Sequence, residues 1–344
     1  METTSGKYTT ADKKHFAVAP GVTGIKVVFV NLFLVSNPGD GSWVLVDAGL
    51  YGSANRIKHT AETLFGKNTK PTAIILTHGH FDHVGALKEL AAEWQVPIYA
   101  HPLEMPYLTG LSDYPPPDAT VGGGGMAYMA WMYPKKPIDM TGQIQVLAPD
   151  GTVPGLPGWR WLHTPGHTAG HISLFRDSDG TLIAGDAFTT REPESAIAVV
   201  TDKKGIHGPP SYYTSDWVAA RRSVQALADL RPEIVVSGHG MPMQGETMRF
   251  ELDELVHYFD QLAVPTNGRY VNEPAITDER GVVKLPPEVH NPVPKALVTA
   301  GLVALAGMAA IAISRRQRKA RFLDALDDTN DYANYTEGTT NNYP

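Results

Sequence analysis

His78-Gly79-His80-Phe81-Asp82-His83 places four potential metal ligands, His78, His80, Asp82 and His83, within a single turn of chain. Imidazole and carboxylate are borderline ligands suited to zinc or iron. Three imidazoles packed so closely repel one another and stay poorly satisfied unless a cation organises them. The apolar run Thr72–Thr77 (TAIILT) just upstream predicts a buried strand, and residues 84–94 downstream carry helical periodicity. The hexapeptide therefore sits on a strand-to-helix loop. In layered sheet folds, that end of a strand is where ligands and catalytic groups gather.

Three later stretches repeat the design. The strand expected over 159–162 runs into His163-Thr-Pro-Gly-His167-Thr-Ala-Gly-His171. Residues 181–186 (TLIAGD) are an apolar run ending on Asp186, and residues 233–239 (EIVVSGH) are another ending on His239. Each is an apolar strand that terminates in a ligand-type side chain.

With these motifs in this order, the chain resembles hydrolases of the metallo-β-lactamase superfamily, in the branch carrying the full His-x-His-x-Asp-His motif. The likeness spans about Ile25 to Val264. It implies one metal held by His78, His80 and His167, a second held by Asp82, His83 and His239, and Asp186 bridging the two. The ions implied are two zinc ions, with iron or manganese as alternatives. Asp47, which ends the strand expected over 43–47, matches an aspartate that orients ligands without touching metal. His163 and His171 are additional to the pattern. His171 opens an expected strand, and we read it as hydrogen-bonded support for a ligand, since metal-bound histidines need such support.

The ligand set implies hydrolysis without a protein nucleophile. Two divalent ions roughly 3.5 to 4 Å apart make hydroxide available near neutral pH, and one of them polarises the substrate oxygen. The resemblance implies attack on an ester, lactone or thioester carbonyl, with Asp82 as the catalytic group that shuttles a proton to the leaving atom. The chain has no cysteine, which excludes thiol catalysis and disulfide scaffolding and separates it from the β-lactamases that use a cysteine ligand. The competing readings are a mononuclear iron sulfur dioxygenase using His78, His80 and His167, a phosphodiesterase, and a non-catalytic ligand-binding member of the same fold. With 29 basic against 36 acidic residues, the net charge of −7 argues against nucleic acid as a partner. Histidine at position 80 argues against the flavodiiron relatives, which carry glutamate there.

The stretch between His83 and His167 bears on the substrate. It holds residues 101–107 (HPLEMPY), Tyr114 with three prolines after it, four glycines at 122–125, and residues 126–133 (MAYMAWMY). Aromatic and methionine side chains at that density suit an apolar, adaptable cleft wall for a small-molecule acyl substrate. The alternative is a packed cap or the face of a homodimer. Lactonases of the superfamily carry a tyrosine soon after the bridging aspartate. Here Phe188 stands nearby without a hydroxyl, leaving Tyr212 or Tyr213 to reach the site from the next loop.

Strands expected over 25–35, 43–47, 72–77, 159–163, 171–176, 181–186 and 233–237 alternate with helices over 53–65, 84–94, 215–230 and 245–262. With the motifs they imply an α+β fold, the four-layer αβ/βα sandwich of the metallo-β-lactamase fold, plus a C-terminal apolar helix. The organisation expected is an N-terminal extension at 1–24, a catalytic domain at 25–264 and an extended arm at 265–295. A transmembrane helix over 296–313 and a basic then acidic disordered tail at 314–344 follow. Residues 296–313 carry no charge and would make a helix of about 27 Å. Arg315, Arg316, Arg318, Lys319 and Arg321 follow it, suited to anionic headgroups. The expectation is a single-pass membrane protein. The positive-inside rule would leave the catalytic domain outside, but Met1 to Lys7 show no apolar export signal, so a cytoplasm-facing domain is expected.

Overall fold

A strand with apolar side chains on both faces needs cover on both sides, and the third strand, Val30–Ser36, shows how this chain supplies it. Its Val30, Leu32 and Leu34 enter one buried cluster and its Phe33 and Val35 enter another. In the computed structural model, which describes residues 15–194 and 204–289, this strand belongs to a seven-stranded sheet. The strands are β1 Phe16–Ala19, β2 Val22–Val27, β3 Val30–Ser36, β4 Trp43–Val46, β5 Ala73–Ile75, β6 Ile98–Ala100 and β7 Ile144–Val146, in spatial order 1 to 7. β1 to β4 pair antiparallel, and β4 to β7 pair parallel. A five-stranded sheet follows in the chain: β8 Trp159–His163, β9 Ile172–Arg176, β10 Thr181–Ile183, β11 Ile234–Val236 and β12 Met243–Gln244. A hairpin, β13 Ile276–Asp278 with β14 Gly281–Lys284, completes the strands described.

Period-two alternation decides the layering. Trp43 and Leu45 of β4 join the cluster that also contains Ile57 and Ala61 of helix Ala54–Phe65 and Leu87, Leu90 and Trp94 of helix Leu87–Trp94. Val44 and Val46, on the opposite face, meet Ile172 and Leu174 of β9, Ile183 of β10 and Val236 of β11. The second sheet turns Phe175, Leu182 and Val235 outward onto helices Trp217–Asp229 and Gly245–His257. The order is helix, sheet, sheet, helix, a mixed α/β structure with three stacked cores.

The strand directions gather the motifs. β10 pairs parallel with β11, and β9 runs antiparallel to both β8 and β10, so β8, β10 and β11 point the same way. Asp47 follows β4 directly, residues 76–83 follow β5, His167 follows β8, Asp186 follows β10 and His239 follows β11. Each motif leaves the carboxyl end of its strand, at the junction of the sheets. Asn31 of β3 locks that junction, donating its side-chain amide to the carbonyls of Ser237 (3.0 Å) and Gly240 (2.6 Å). The Ile172 amide donates across to the Thr77 carbonyl at 3.0 Å.

Some elements differ from expectation. β6 and β7 are three-residue strands, too short to announce themselves by alternation. β1 lies upstream of residue 25, and the β13–β14 hairpin lies within 265–295. The helix expected over 84–94 begins inside the motif as a turn, Phe81–Val84, and restarts at Leu87. A Cβ at Gly85 would stand 2.2 Å from the backbone nitrogen of Tyr51, so residues 49–51 run against this break. The closing helix also breaks, at Tyr258, which leaves that residue exposed and buries Phe259 in its place.

The expectation of a single-pass membrane protein with a cytoplasm-facing catalytic domain is corrected. Among the described residues no helix is long and apolar enough to cross a membrane. The longest run 13 residues, about 20 Å, against a hydrocarbon core of about 30 Å. The C-terminal apolar helix expected over 296–313 lies outside the described residues. Half of that stretch, 9 of 18 residues, is alanine or glycine, which weakens its apolar signal.

Candidate metal centre

Asp47 is the hub from which the site is built. Its backbone takes a left-handed turn, φ 62°, directly after β4 and turns its carboxylate toward the neighbouring loop. Oδ1 accepts the Thr77 amide and Oδ2 the Thr77 hydroxyl, both at 2.8 Å, and Oδ2 also accepts Nδ1–H of His83 at 2.8 Å. The Thr77 hydroxyl, having donated to Asp47, is left to accept Nδ1–H of His78 at 3.1 Å. This pattern assigns the tautomers of both rings and leaves their Nε2 atoms aimed inward.

His80 and His167 come from different sheets, yet His80 Nδ1 lies 3.0 Å from His167 Nε2. His239 is held from behind by the Phe29 carbonyl, which accepts Nδ1–H at 2.8 Å, so that Nε2 reaches Asp186 Oδ2 at 3.1 Å. The same Asp186 oxygen lies 3.5 Å from His167 Nε2 and 3.7 Å from His83 Nε2. Asp82 Oδ2 is 3.6 Å from His239 Nε2 and 4.0 Å from His83 Nε2. All seven residues singled out in the sequence are brought together and buried. Their donor atoms form three overlapping groups, each within 4.8 Å: His78, His80 and His167; His78, His83 and Asp186; Asp82, His83 and His239.

Three of those donors, His78 Nε2, His83 Nε2 and Asp186 Oδ1, are buried without a hydrogen-bond partner. An orphaned buried polar atom costs about 1–3 kcal/mol. The three belong to one ligand group, His78, His83 and Asp186, which fits a shared cation that satisfies lone pairs without a proton. Burial drives His78 and His80 well below the ordinary histidine range, with neighbouring imidazoles adding to the effect, and takes His167 down to about 4. These rings are neutral and keep a lone pair for coordination. Burial opposes charge on His83 too, but Asp47, Asp186 and Asp82 outweigh it and hold the ring well above the usual range. The same carboxylates would welcome a metal ion. Burial favours protonation of Asp186, yet His239 and His83 keep its carboxyl well below the usual range; burial raises Asp82.

His171 supports rather than joins the group. Its Nδ1–H donates to Thr164, with the hydroxyl at 2.8 Å and the carbonyl at 3.1 Å, while Nε2 accepts the Asp186 amide at 2.8 Å. His163 lies apart, half stripped of cover, donating to the Ala169 carbonyl and stacked on His101 at 4.1 Å. Thr77, Thr164 and the Phe29 carbonyl were not legible as site residues. Threonine beside a histidine motif is a weak signal, and a backbone carbonyl gives none.

The cleft beside the cluster is walled by Phe29, Phe81, Met126, Tyr133, Tyr212 and Tyr213, with Asp82 and Asp186 at its floor. Met126 and Tyr133, read from the sequence as wall residues, are there, and so are both tyrosines of the later loop. Phe188 is not; it is buried in the core beneath helix Trp217–Asp229. Tyr213 lies against His80 with ring centroids 4.2 Å apart and donates its hydroxyl to the Pro134 carbonyl at 3.1 Å. The Tyr133 hydroxyl reaches only the Met126 thioether, at 3.6 Å.

Residues 25–239 match the model of the metallo-beta-lactamase superfamily. A probable metallo-hydrolase, YflN of Bacillus subtilis strain 168, is 45% identical over 243 residues, covering 70% of this chain and 92% of that protein. A hydroxyacylglutathione hydrolase of Alkalilimnicola ehrlichii is 33% identical over 158 residues, covering 45% of this chain and 42% of that protein. Among solved structures, a beta-lactamase from Chitinophaga pinensis is 20% identical with a TM-score of 0.49, covering 76% of this chain and 97% of that one. With its ligand-bearing loops on the carboxyl ends of two packed sheets, and the family model spanning the whole run of motifs, this chain belongs to the metallo-beta-lactamase superfamily.

Proposed function

We propose that this chain holds two divalent cations, zinc before iron or manganese, and hydrolyses an ester, lactone or thioester of a small apolar acyl group. That it is a metal-dependent hydrolase rests on its superfamily and on relatives named metallo-hydrolases. The cation pair and the acyl substrate are the finer reading. The observation that carries it is the three overlapping ligand groups sharing His78 and His83, with Nε2 of both rings buried and unpartnered. His78, His80 and His167 would hold one ion, Asp82, His83 and His239 the other, and Asp186, within 3.7 Å of three of these imidazoles, would lie between them. A cation pair there supplies an ionised water near neutral pH and polarises a carbonyl.

The chain's own groups do the rest. Asp47, Thr77, the Phe29 carbonyl and His171 hold rings and carboxylate in place, so that little reorganisation is needed on binding. The aromatic wall takes the acyl chain and excludes water. Tyr133, whose hydroxyl meets a weak thioether acceptor, is one donor the wall can offer the substrate's carbonyl oxygen. In the reaction the oxygen of water bonds to the carbonyl carbon, the bond to the leaving oxygen or sulfur breaks, and a proton reaches that atom through Asp82 at the cleft floor. The relative named hydroxyacylglutathione hydrolase supports an acyl substrate.

The test is metal analysis of protein purified without added ions, followed by turnover on panels of esters, lactones, thioesters and phosphodiesters. Two divalent ions per chain, acyl turnover, and its loss in Asp82→Ala are expected, and an active, metal-replete Asp82→Ala protein would remove Asp82 from the mechanism. A single iron with oxygen uptake, or turnover confined to phosphodiesters, would overturn the reading.

A further inference from the structure

Resting on the metal-centre reading, a fully buried carboxylate outside the ligand set ties its two histidine loops together. Glu104, between β6 and β7, is inaccessible to solvent. Its Oε2 accepts the Gly79 amide at 2.9 Å and the Tyr114 hydroxyl. Its Oε1 accepts the Thr168 hydroxyl at 2.7 Å and the Gly170 amide at 3.0 Å. Gly79 lies between His78 and His80; Thr168 and Gly170 lie between His167 and His171. One carboxylate thus fastens the loop leaving β5 in the first sheet to the loop leaving β8 in the second.

The motif glycines fit around this fastening. A Cβ at Gly79 would stand 2.6 Å from the Tyr114 hydroxyl oxygen, and one at Gly170 would stand 2.7 Å from the Glu104 amide nitrogen and 2.8 Å from its Cγ. Both glycines clear space for Glu104 and its partner tyrosine, whose ring also packs on His80 with centroids 4.6 Å apart. Glu104 itself hydrogen-bonds neither His80 nor His167, whose loops come from different sheets.

We infer that Glu104 is a positioning residue for the metal centre: by taking two donors on each oxygen it holds His78 and His80 in register with His167. The isosteric amide cannot replace it. Glutamine has one oxygen, and its NH2 must face either the Gly170 amide, donor against donor, or the Gly79 amide, which would keep only the Tyr114 hydroxyl oxygen at 2.9 Å as acceptor. Losses of 10- to 100-fold in metal affinity are typical when a group that supports ligands is removed.

The experiment loads the full chain with cobalt(II) and follows its visible absorption bands, its stoichiometry and its affinity by chelator competition, beside thermal melting. Glu104→Gln is expected to weaken the more sensitive cobalt by about 10- to 100-fold and to alter the visible bands. Tyr114→Phe, which removes one donor of four, moves both readouts less and in the same direction. A Glu104→Gln protein with wild-type affinity and wild-type bands overturns the inference, even if its melting temperature falls, because fold support alone leaves the metal spectrum unmoved. If Glu104→Gln fails to fold, Thr168→Val, which keeps the carboxylate, serves instead, and unchanged affinity and bands there overturn the inference equally. Wild-type protein that binds no cobalt sinks the metal reading and this inference with it. Wild-type binding beside an indifferent variant sinks the inference alone.

Discussion

Asp47→Asn isolates the work of one carboxylate that touches His83 directly and reaches His78 through the Thr77 hydroxyl. The change keeps shape and volume, and its amide oxygen can still accept the Thr77 amide. The other position becomes an NH2, where the Thr77 hydroxyl and His83 Nδ1–H now both donate at 2.8 Å. His83 then faces a donor and is driven to the tautomer that carries its proton on Nε2, in the place a cation would take. Thr77, released from Asp47, no longer holds His78 Nδ1–H at 3.1 Å in the same orientation. A hydrogen bond to a charged group is worth about 1.5–3 kcal/mol. At about 1.4 kcal/mol per decade, losing one is a 10- to 100-fold fall in metal affinity. Because His78 would hold one ion and His83 the other, both ions are weakened rather than one. Zinc dissociation constants by chelator competition check this, with circular dichroism to establish folding. Affinity within threefold of wild type at both sites would refute the reasoning, and loss at one site alone would refute the relay through Thr77.

Stripping the protein with a chelator should lower its melting temperature, since bound metal at a hundred times its dissociation constant contributes about 2.7 kcal/mol; a thermogram indifferent to zinc would count against a buried metal centre. Gly238→Ala places a Cβ 2.1 Å from Asp186 Oδ1 and 2.8 Å from His83 Cε1, so metal stoichiometry measured by elemental analysis should drop below two while the circular dichroism spectrum persists. Tyr133→Phe should cut kcat on acyl substrates about tenfold, the value of one hydrogen bond of about 1.4 kcal/mol in the transition state; steady-state kinetics equal to wild type would remove Tyr133 from the reaction.

Much of the candidate site was legible because its chemistry is compact in the chain. The hexapeptide at 78–83 announces a cation by crowding, and His167, Asp186 and His239 announce themselves by ending apolar runs. Glu104 lay inside a stretch read only for its apolar character, and no spacing separates a buried acceptor from a surface glutamate. Its four donors come from residues as far as 66 positions away. The membrane expectation rested on residues 296–313, which lie outside the described residues, and among the described residues no helix is long and apolar enough to cross a membrane.

Alternation of apolar residues and the types of side chain at strand ends were determined by the sequence alone, because strand pleat and ligand chemistry are local properties. Which histidine faces which carboxylate was decided only by the tertiary structure. His80 and His167 come within 3.0 Å because two sheets pack with Asn31 and Glu104 bridging their loops. A hydrogen bond between loops so distant in the chain exists only after the sheets have closed.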